Sequence, residues 1–278
     1  MRQGGAAALR NMVETDKFAI LRGGRRVWTV GAIHGEAKRL MALHDALETR
    51  FDVPGDRLVY TGNYLGHGPD VRRTVAELID FRSRLLGLPG MFAADIVFLR
   101  GAQEEMWQKL LQLQFAVNPR EVLEWMLAHG IGATLTAYGL PPEAGLAAAR
   151  DGALSLSRWT GRIRAAIAAQ PGHRDLLSAL RRAAHDVEGR LLFVHAGLDP
   201  ARPLASQGDR FWWGAPGFGA WPEPYEGFRR VIRGYDPGHG GIAHFAHAIT
   251  ADGGCGFGGP LTALCLSAEG EIVDRIDI

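Results

Sequence analysis

The strongest constraint on the fold is the alternation of strand-like and helix-like segments in the first hundred residues. Short β-rich runs at 26–33, 57–62 and 95–101 are separated by helical patterns at about 36–50 and 71–86. This order is typical of α/β proteins with parallel strands, in which ligands bind beyond the carboxyl ends of the strands. We therefore expect an α/β fold whose site lies in the turns after these strands.

The rest of the chain predicts a helical insertion followed by further strands. Residues from about 103 to 188 are rich in Ala and Leu at helical spacing, with interruptions at Pro and Gly. Strand-like runs return at RLLFVHAG, RRVIRGY, HAITA, LTALCLS and EIVDRIDI. We interpret the last three, HAITA, LTALCLS and EIVDRIDI, as antiparallel strands of a second sheet. This gives a two-sheet core with helices outside it.

The composition is that of an ordinary globular protein. The chain has 278 residues, of which 47% are hydrophobic and 22% charged, and a formal net charge of +1. This length suits one large core, so we expect an N-terminal tail at 1–16 and a single domain at 17–278. The balanced charge disfavours a nucleic-acid partner.

No stretch of the sequence is apolar over the length that a membrane helix needs, and the apolar run near the N-terminus is too short for a signal peptide. We therefore predict a cytoplasmic protein without a membrane partner. Two cysteines, Cys255 and Cys265, are too few for a disulfide framework or a zinc knuckle. We expect both to be buried apolar side chains.

Glycine and polar residues cluster in a series of turns at the ends of the predicted strands. The turns are GAIHG at 31–35, GNYLGHG at 62–68, LRGAQE at 99–104, FVHAG at 193–197 and RGYDP at 233–237, with ADGGCGFGGPLTAL after them. Glycine permits the positive φ and the close backbone approach that such turns require. These turns form the candidate site, because polar residues at strand ends are where α/β proteins bind ligands.

In order and approximate spacing, this set resembles the signatures of the serine/threonine phosphoprotein phosphatases of the calcineurin-like metallophosphoesterase superfamily. Those signatures are G-D-x-H-G, G-D-x-x-D-R-G, L-R-G-N-H-E, V-H-A-G and G-H-T-P. The segment WMLAHGIGATLTAYG is also similar to a segment of the bacterial members. The resemblance covers the chain from about Arg25 to its end. It implies an α/β/β/α fold, a two-sheet β-sandwich core flanked by helices.

The resemblance also implies which positions would carry the chemistry. In the family, six side chains of these motifs hold two divalent cations, which generate hydroxide and polarise the phosphate. The matching positions here are Ala32, His34, Asn63, Ala102, His195 and Tyr235. Only His34 and His195 keep the family's ligand, because a methyl group has no lone pair and neutral Asn63 lacks the charge of a bridging carboxylate. We expect no dinuclear metal site and no cofactor.

The positions that would bind and protonate the substrate differ from the family in the same way. Gln103 stands at the position of the general-acid His, and Gly66 at that of the Asp that orients it. His67 and Gly214 stand where the family has phosphate-binding Arg residues. An amide, a neutral imidazole and a bare backbone are poor replacements for these groups. The sequence therefore predicts a pseudophosphatase without catalytic residues that acts as a protein-binding or regulatory module.

An active enzyme of altered design is the alternative. His34, Asn63 and His195, joined by one of the loop residues His239, His244 or His247, would then form a single-metal site in a metallophosphoesterase that acts on a protein or a nucleotide. The segment GGCGFGGPLTAL is similar to the corresponding strand of bacterial dinucleoside tetraphosphatases, which keeps a nucleotide ligand open.

The aromatic residues leave a second question open. The segment 211–228 is rich in Phe, Trp and Tyr. It is either an exposed platform for a protein partner or a loop packed on the core. The aromatic residues of the insertion, Trp107 and Trp125, are expected to pack in the core or in a cap over it.

Overall fold

The computed structural model describes residues 17–278, and the predicted tail at 1–16 lies outside them. The strands of this part are β1 Phe18–Leu21, β2 Arg26–Val30, β3 Asp56–Tyr60, β4 Ile96–Phe98, β5 Ala183–Asp186, β6 Leu191–Val194, β7 Arg230–Arg233, β8 Ala243–His244, β9 Ala248–Thr250, β10 Thr262–Ser267 and β11 Ile272–Asp277. The α-helices are α1 Ala37–Glu48, α2 Val71–Leu86, α3 Ala102–Leu110, α4 Pro119–Ala128, α5 Ile131–Ala137, α6 Pro142–Asp151, α7 Ala153–Ala168, α8 His173–Ser178 and α9 Arg210–Trp213. Short 3-10 helices lie at Ala93–Asp95, Leu113–Phe115, Leu204–Ser206 and Tyr225–Gly227.

The first sheet has the strand order β11-β10-β2-β3-β4. Strands β2, β3 and β4 are parallel, and β10 and β11 are antiparallel to their neighbours. The parallel trio, connected through α1 and α2, confirms the order of strands and helices predicted for the first hundred residues. The carboxyl ends of these three strands therefore lie at one edge of the sheet.

The second sheet has the strand order β1-β5-β6-β7-β9-β8, in which β6, β7 and β9 are parallel. Our assignment of the last strands was wrong in two respects. Strand β9 is a parallel strand of the second sheet, whereas β10 and β11 belong to the first sheet. Strands β10 and β11 join the first sheet because β3 pairs with only one edge of β2, and β10 pairs with the other edge of β2.

The two sheets pack face to face around an apolar layer. Val27, Val59 and Leu264 of the first sheet lie in this layer with Phe193 and Ile232 of the second. Helices α1 and α2 and most of the insertion cover the outer face of the first sheet. Helix α9 and the loop after it cover the outer face of the second. The predicted α/β/β/α arrangement is confirmed.

Helix α2 shows how the sequence pattern becomes packing. Val71, Val75, Leu78 and Phe81 recur at helical spacing, and all four are buried. Such an apolar face packs on the sheet while the polar face stays in water. Its bounds are those predicted from the sequence.

Helices α3 to α8 occupy most of the predicted insertion, but its C-terminal end is a strand. Residues 183–186 form β5, which pairs antiparallel with β6 and parallel with β1. The four residues AAHD are too few and too irregular in pattern to indicate a strand. Their strand conformation is therefore determined by pairing with segments distant in sequence. Cys255 and Cys265 are free and buried, as expected.

The aromatic segment 211–228 packs mainly on the core. Phe211, Trp212, Phe218 and Tyr225 are buried on the outer face of the second sheet. This outcome favours the core-packing interpretation over the exposed platform. In the described part of the chain, no helix is both long and apolar enough to cross a lipid bilayer.

Candidate functional site

The turns singled out from the sequence meet at one edge of the sandwich. They follow the carboxyl ends of β2, β3 and β4 in the first sheet and of β6 and β7 in the second. Hydrogen bonds join the two sets across the sheets: the Ala32 N–H donates to the Gly234 carbonyl at 2.8 Å, and His195 Nδ1 donates to the Thr61 carbonyl at 2.7 Å. The structure thus brings together the site positions predicted from five separate motifs.

Close packing of backbone on backbone explains the glycines of these turns. Gly62 has φ of +101°, and a Cβ atom there would lie 2.5 Å from the Gly101 nitrogen. A Cβ atom on Gly101 would lie 2.2 Å from the Asn63 nitrogen. Heavy atoms cannot approach so closely, so neither position accepts a side chain without rearrangement.

A buried glutamate holds the turn after β3 against the start of α3. The Glu104 carboxylate accepts hydrogen bonds from the backbone N–H groups of Gly101, Asn63, Tyr64 and Leu65 at 2.8–3.0 Å. These four hydrogen bonds offset part of the cost of burying the carboxylate, and burial still raises the pKa of Glu104. Glu104 is therefore a structural acid and does not face the site.

Asn63 and His34, two of the candidate ligands of a single-metal site, are hydrogen-bonded to each other. Asn63 Oδ1 accepts from the Gln103 backbone N–H at 3.0 Å, which fixes the orientation of the amide. Its Nδ2 then faces His34 Nε2 at 3.3 Å and donates to it. The single lone pair of His34 Nε2 that a metal ion would use thus already accepts a hydrogen bond, as does one of the two lone pairs of Asn63 Oδ1.

His195 stacks on Tyr235, which stands at a position that the resemblance predicts to be a metal ligand in the family. The rings of His195 and Tyr235 are 5.2 Å apart and nearly parallel, at 7°. Because His195 is fully buried, its pKa is lowered to about 4, and burial raises the pKa of Tyr235 to about 12. With Nδ1 donating to Thr61, the neutral ring has an acceptor at Nε2 that has no hydrogen-bond partner.

Rings from three other turns surround His34. His67, Tyr235 and Phe257 lie 5.0, 5.6 and 5.1 Å from its centroid, all edge-on. Burial, and then the neighbouring imidazoles of His67 and His195, hold the pKa of His34 well below its ordinary value. The cleft is thus lined by neutral imidazoles and aromatic rings.

The position of the expected general acid is tied to the helical insertion. Gln103 Nε2 donates to the His129 carbonyl at 2.8 Å and lies 3.3 Å from His67 Nε2. The absence of a side chain at Gly66 leaves space for the Gln103 amide, because a Cβ atom on Gly66 would lie 2.3 Å from Gln103 Oε1. Gly214 has φ of +68° and packs against the Ala196 carbonyl. None of the four positions Gly66, His67, Gln103 and Gly214 carries a Lys or Arg side chain that could bind a phosphate.

Of the three loop histidines, the structure brings His239 to the cleft. Its ring stacks on Phe257 at 3.9 Å and lies 5.8 Å from Tyr235. His244 lies on β8, and His247 directly precedes β9. Phe257 was not predicted as a site residue, and its position in a Gly-rich turn gives no sequence signal for ring packing against His34.

The side chains present do not fit a pair of divalent cations. Ala32 and Ala102 offer only methyl groups, and no carboxylate takes the place of the bridging ligand at Asn63. Throughout residues 17–278, no group of three or more His, Cys, Asp or Glu side chains is arranged to hold a metal ion. The side chains that line the cleft are instead suited to hydrogen bonding with one another.

Comparison with solved structures identifies the fold. The chain is similar to a protein described as a candidate diadenosine tetraphosphatase, with 20% identity, a TM-score of 0.55, and coverage of 94% of this chain and 98% of that chain. It is also similar to the cold-active protein-tyrosine phosphatase of a psychrophilic Shewanella species, with 12% identity, a TM-score of 0.56, and coverage of 95% and 84%.

A third similar structure is a serine/threonine phosphatase from Saccharomyces cerevisiae with similarity to human phosphatase PP5, at 12% identity, a TM-score of 0.50, and coverage of 100% and 89%. No protein-family model matches the chain, and comparison with curated proteins found no match. At these identities the similarity establishes the fold. The metallophosphoesterase-like fold implied by the motifs is confirmed.

Proposed function

We propose that this protein is a catalytically inactive homologue of the metal-dependent phosphatases that acts as a protein-binding or regulatory module in the cytoplasm. The observation that carries the proposal is the internal pairing of Asn63 and His34. A metal ion would have to displace the Asn63 amide from His34 Nε2, and no carboxylate is present at these positions to compensate for that loss. The proposal therefore assigns a structural role to positions that bind metals in the family.

The binding that we propose is independent of phosphate. An Arg residue recognises a phosphate through a bidentate, charge-assisted pair of hydrogen bonds. His67 and Gly214 stand at the two positions where the family has such residues. The pKa of His67 is lowered by burial and by neighbouring imidazoles, so its ring is neutral at physiological pH.

Metal content and turnover of the purified protein test the proposal. We expect less than about 0.1 equivalent of divalent metal after dialysis, because divalent sites use three or four protein ligands. With excess Mn²⁺, hydrolysis of p-nitrophenyl phosphate should equal that of His195→Ala. Stoichiometric metal, or a rate that His195→Ala abolishes, would overturn the proposal.

Restoring the family's ligands tests the assignment of positions. The variant combines Ala32→Asp, Asn63→Asp, Ala102→Asn, Gln103→His and Tyr235→His. We expect it to bind Mn²⁺ at least about tenfold more tightly than the parent protein, since carboxylates and imidazoles replace groups without charge or lone pairs.

A matched control carries Ala32→Asn and keeps Asn63, with the other three substitutions unchanged. It has similar side-chain volumes without the two carboxylates and should show a much smaller gain. Equal affinities in the restored variant, its control and the parent would mean that the motifs were aligned wrongly.

The active-enzyme alternative has one observation in its favour. His195 Nε2 and His239 Nδ1 are buried nitrogens without a hydrogen-bond partner, and both histidines contact Tyr235. If these nitrogens bound one metal ion, the candidate substrates would be phosphoesters and nucleotides; one of the similar structures is described as a candidate diadenosine tetraphosphatase. The metal and turnover measurements decide between the two functions.

A further inference from the structure

A cavity of about 730 Å³ lies at the side of the sandwich where both sheets end. In the described part of the chain, β1 is the outermost strand of the second sheet and β4 that of the first, and both line the cavity. Helices α2 and α8 and the 3-10 helix Ala93–Asp95 complete its wall. None of the described residues that line it belongs to the cleft, so this cavity is a separate surface.

The wall of the cavity is mostly apolar and partly open to water. Ile96, Phe98 and Leu176 line it from buried positions, whereas Ile20 on β1 is 49% exposed. Large apolar side chains usually avoid water, and sheet edges are usually covered or protected by charged residues. The exposure of Ile20 at a sheet edge therefore indicates a surface that another segment covers.

Two arginines give this wall a positive charge. Arg82 of α2 and Arg181, which follows α8, both line the cavity. Asp175 also lines it, but its carboxylate is 79% exposed and pairs with Arg174 at 3.6 Å. An apolar segment that carries a carboxylate is therefore complementary to the wall.

Backbone hydrogen bonds fix the wall where the described chain begins. The Arg181 N–H donates to the Phe98 carbonyl at 2.9 Å, and the Arg182 N–H donates to the Lys17 carbonyl at 2.8 Å. These two bonds join the end of β4 and the residue before β1 to the same short segment. The chain that precedes Lys17 is therefore attached directly beside the cavity.

The N-terminal segment, residues 1–16, has a sequence complementary to this wall. Leu9, Met12, Val13 and Asp16 recur at i, i+3, i+4 and i+7, a spacing that predicts a single helix face. This face combines three apolar side chains with one carboxylate. The apolar side chains match the apolar wall, and the carboxylate matches its arginines.

The covalent connection brings the segment within reach of the cavity. Phe18 lines the cavity, and Val13 lies five residues before it in the sequence. Five residues span at most about 17 Å, so the wall is within reach of Val13. A short tether gives an effective concentration of about millimolar, which favours the segment of the same chain over that of a second copy.

We propose that the N-terminal segment of this chain binds in the cavity, with Leu9, Met12 and Val13 against the apolar wall and Asp16 at the arginines. The segment then covers the side of the sandwich where both sheets end. A protein partner binds elsewhere on the molecule or displaces the segment first. This inference goes beyond the proposed function and does not depend on it.

Disulfide trapping in the full chain tests the proposal. Met12→Cys is combined with Ala94→Cys or with Ala179→Cys, two positions on different parts of the wall. The control pair combines Met12→Cys with Val187→Cys, which is 58% exposed after β5 and lies outside the cavity. Copper phenanthroline oxidises each pair, and non-reducing electrophoresis measures the crosslink.

We expect at least one of the two cavity pairs to form an intramolecular disulfide about tenfold faster than the control pair. A disulfide needs its two Cα atoms within about 7 Å, so the rate reports how often the segment lies at each position. The native cysteines are free and buried in the core, so they do not compete.

Two substitutions in the segment test which face binds. Leu9→Asp places a charge against the apolar wall and should slow the faster cavity crosslink at least about tenfold. Asn11→Asp adds the same charge on the opposite face of the predicted helix and should change the rate less than about twofold.

Equal crosslinking rates for the cavity pairs and the control pair would overturn the inference, as would equal effects of Leu9→Asp and Asn11→Asp. A disulfide that joins two chains, seen as a dimer band, would also overturn it and would indicate that the cavity binds a second copy. These variants leave the cleft residues unchanged, so the outcome is separate from the measurements of metal content and turnover.

Discussion

The layer of turns beneath the cleft and the interior of the cleft differ in how their polar groups are paired. In the turn layer, Glu104 accepts four backbone hydrogen bonds, and Asp252 accepts two, from Asp236 and Gly254. Inside the cleft, His34 Nδ1, Gln103 Oε1 and His195 Nε2 are buried without a hydrogen-bond partner. The two regions are adjacent, but the carboxylates of the turns have hydrogen-bond partners and these three cleft atoms have none.

The difference shows which residues the fold itself requires. Residues of the turn layer position the backbone, so their loss affects stability whether or not the protein is an enzyme. The cleft positions Ala32 and Ala102 contribute only methyl groups to the packing. A chain can therefore change its cleft residues and keep its turns, as we propose for this protein.

The largest expected effect comes from removing the acid of the turn layer. Glu104→Ala leaves four buried backbone N–H groups without an acceptor and should lower the free energy of unfolding by about 3–5 kcal/mol. Urea denaturation followed by circular dichroism measures the change.

Glu124→Ala is the control for Glu104→Ala, because Glu124 lies on α4 in an exposed pair with Arg120. Its loss should cost less than about 0.5 kcal/mol. A similar cost for the two variants would remove the distinction between the turn layer and ordinary surface.

Acid should destabilise the cleft through its buried histidines. The pKa of His195 is about 4 in the folded protein and about 6.5 in an unfolded chain, so the unfolded state binds more protons between these values. The free energy of unfolding should therefore fall as the pH falls from 6.5 to 4, by about 3 kcal/mol from His195 alone. His34 acts in the same direction.

The variant His195→Asn isolates this contribution. Its amide N–H replaces Nδ1–H as a donor to Thr61 but does not titrate. Denaturant unfolding at pH 7, 5.5 and 4 should show a smaller loss of stability in the variant than in the parent protein. Equal losses would mean that His195 is accessible to protons in the folded state.

The space beside Gly66, where the family has an Asp, is occupied by the side chain of Gln103. Gly66→Ala introduces a Cβ atom 2.3 Å from Gln103 Oε1 at a residue with φ of +80°. We expect a cost of about 2–3 kcal/mol in the parent protein but about 1 kcal/mol in a Gln103→Ala background, where only the backbone strain remains.

Gly139→Ala measures that strain alone, because Gly139 has φ of +76° and open space around its Cα atom. It should cost about 1 kcal/mol. If Gly66→Ala costs the same in both backgrounds, the two positions are independent.

The predicted turns come together at one edge of the fold, and each of them could be predicted because it is encoded locally. Gly31, Gly62 and Gly101 appear in the sequence as glycines after apolar runs, and the fold places them where backbones touch. Helix α2 was predicted to its bounds for a similar reason, since its apolar period is internal to the segment.

Pairings between distant segments could not be predicted in this way. Strand β5 forms between β1 and β6, and β10 pairs with β2 more than 200 residues away. Equally, the stacking of Tyr235 on His195 and the enclosure of His34 by Phe257 depend on three-dimensional proximity. The sequence predicts that metal ligands are missing, but it could not show which rings pack at those positions.

The smallest expected effect tests whether Asn63, which stands at a predicted ligand position, stabilises the turns beneath the cleft. Asn63 Oδ1 accepts from the Gln103 N–H in the first turn of α3 and so caps that helix, and Asn63 has φ of +55°. Asn63→Gly removes the cap without backbone strain and should cost about 1 kcal/mol in urea denaturation. Asn63→Ala adds the strain of a left-handed residue and should cost about 2 kcal/mol. If neither variant loses stability, Asn63 belongs to the cleft interior and its amide is available to a ligand.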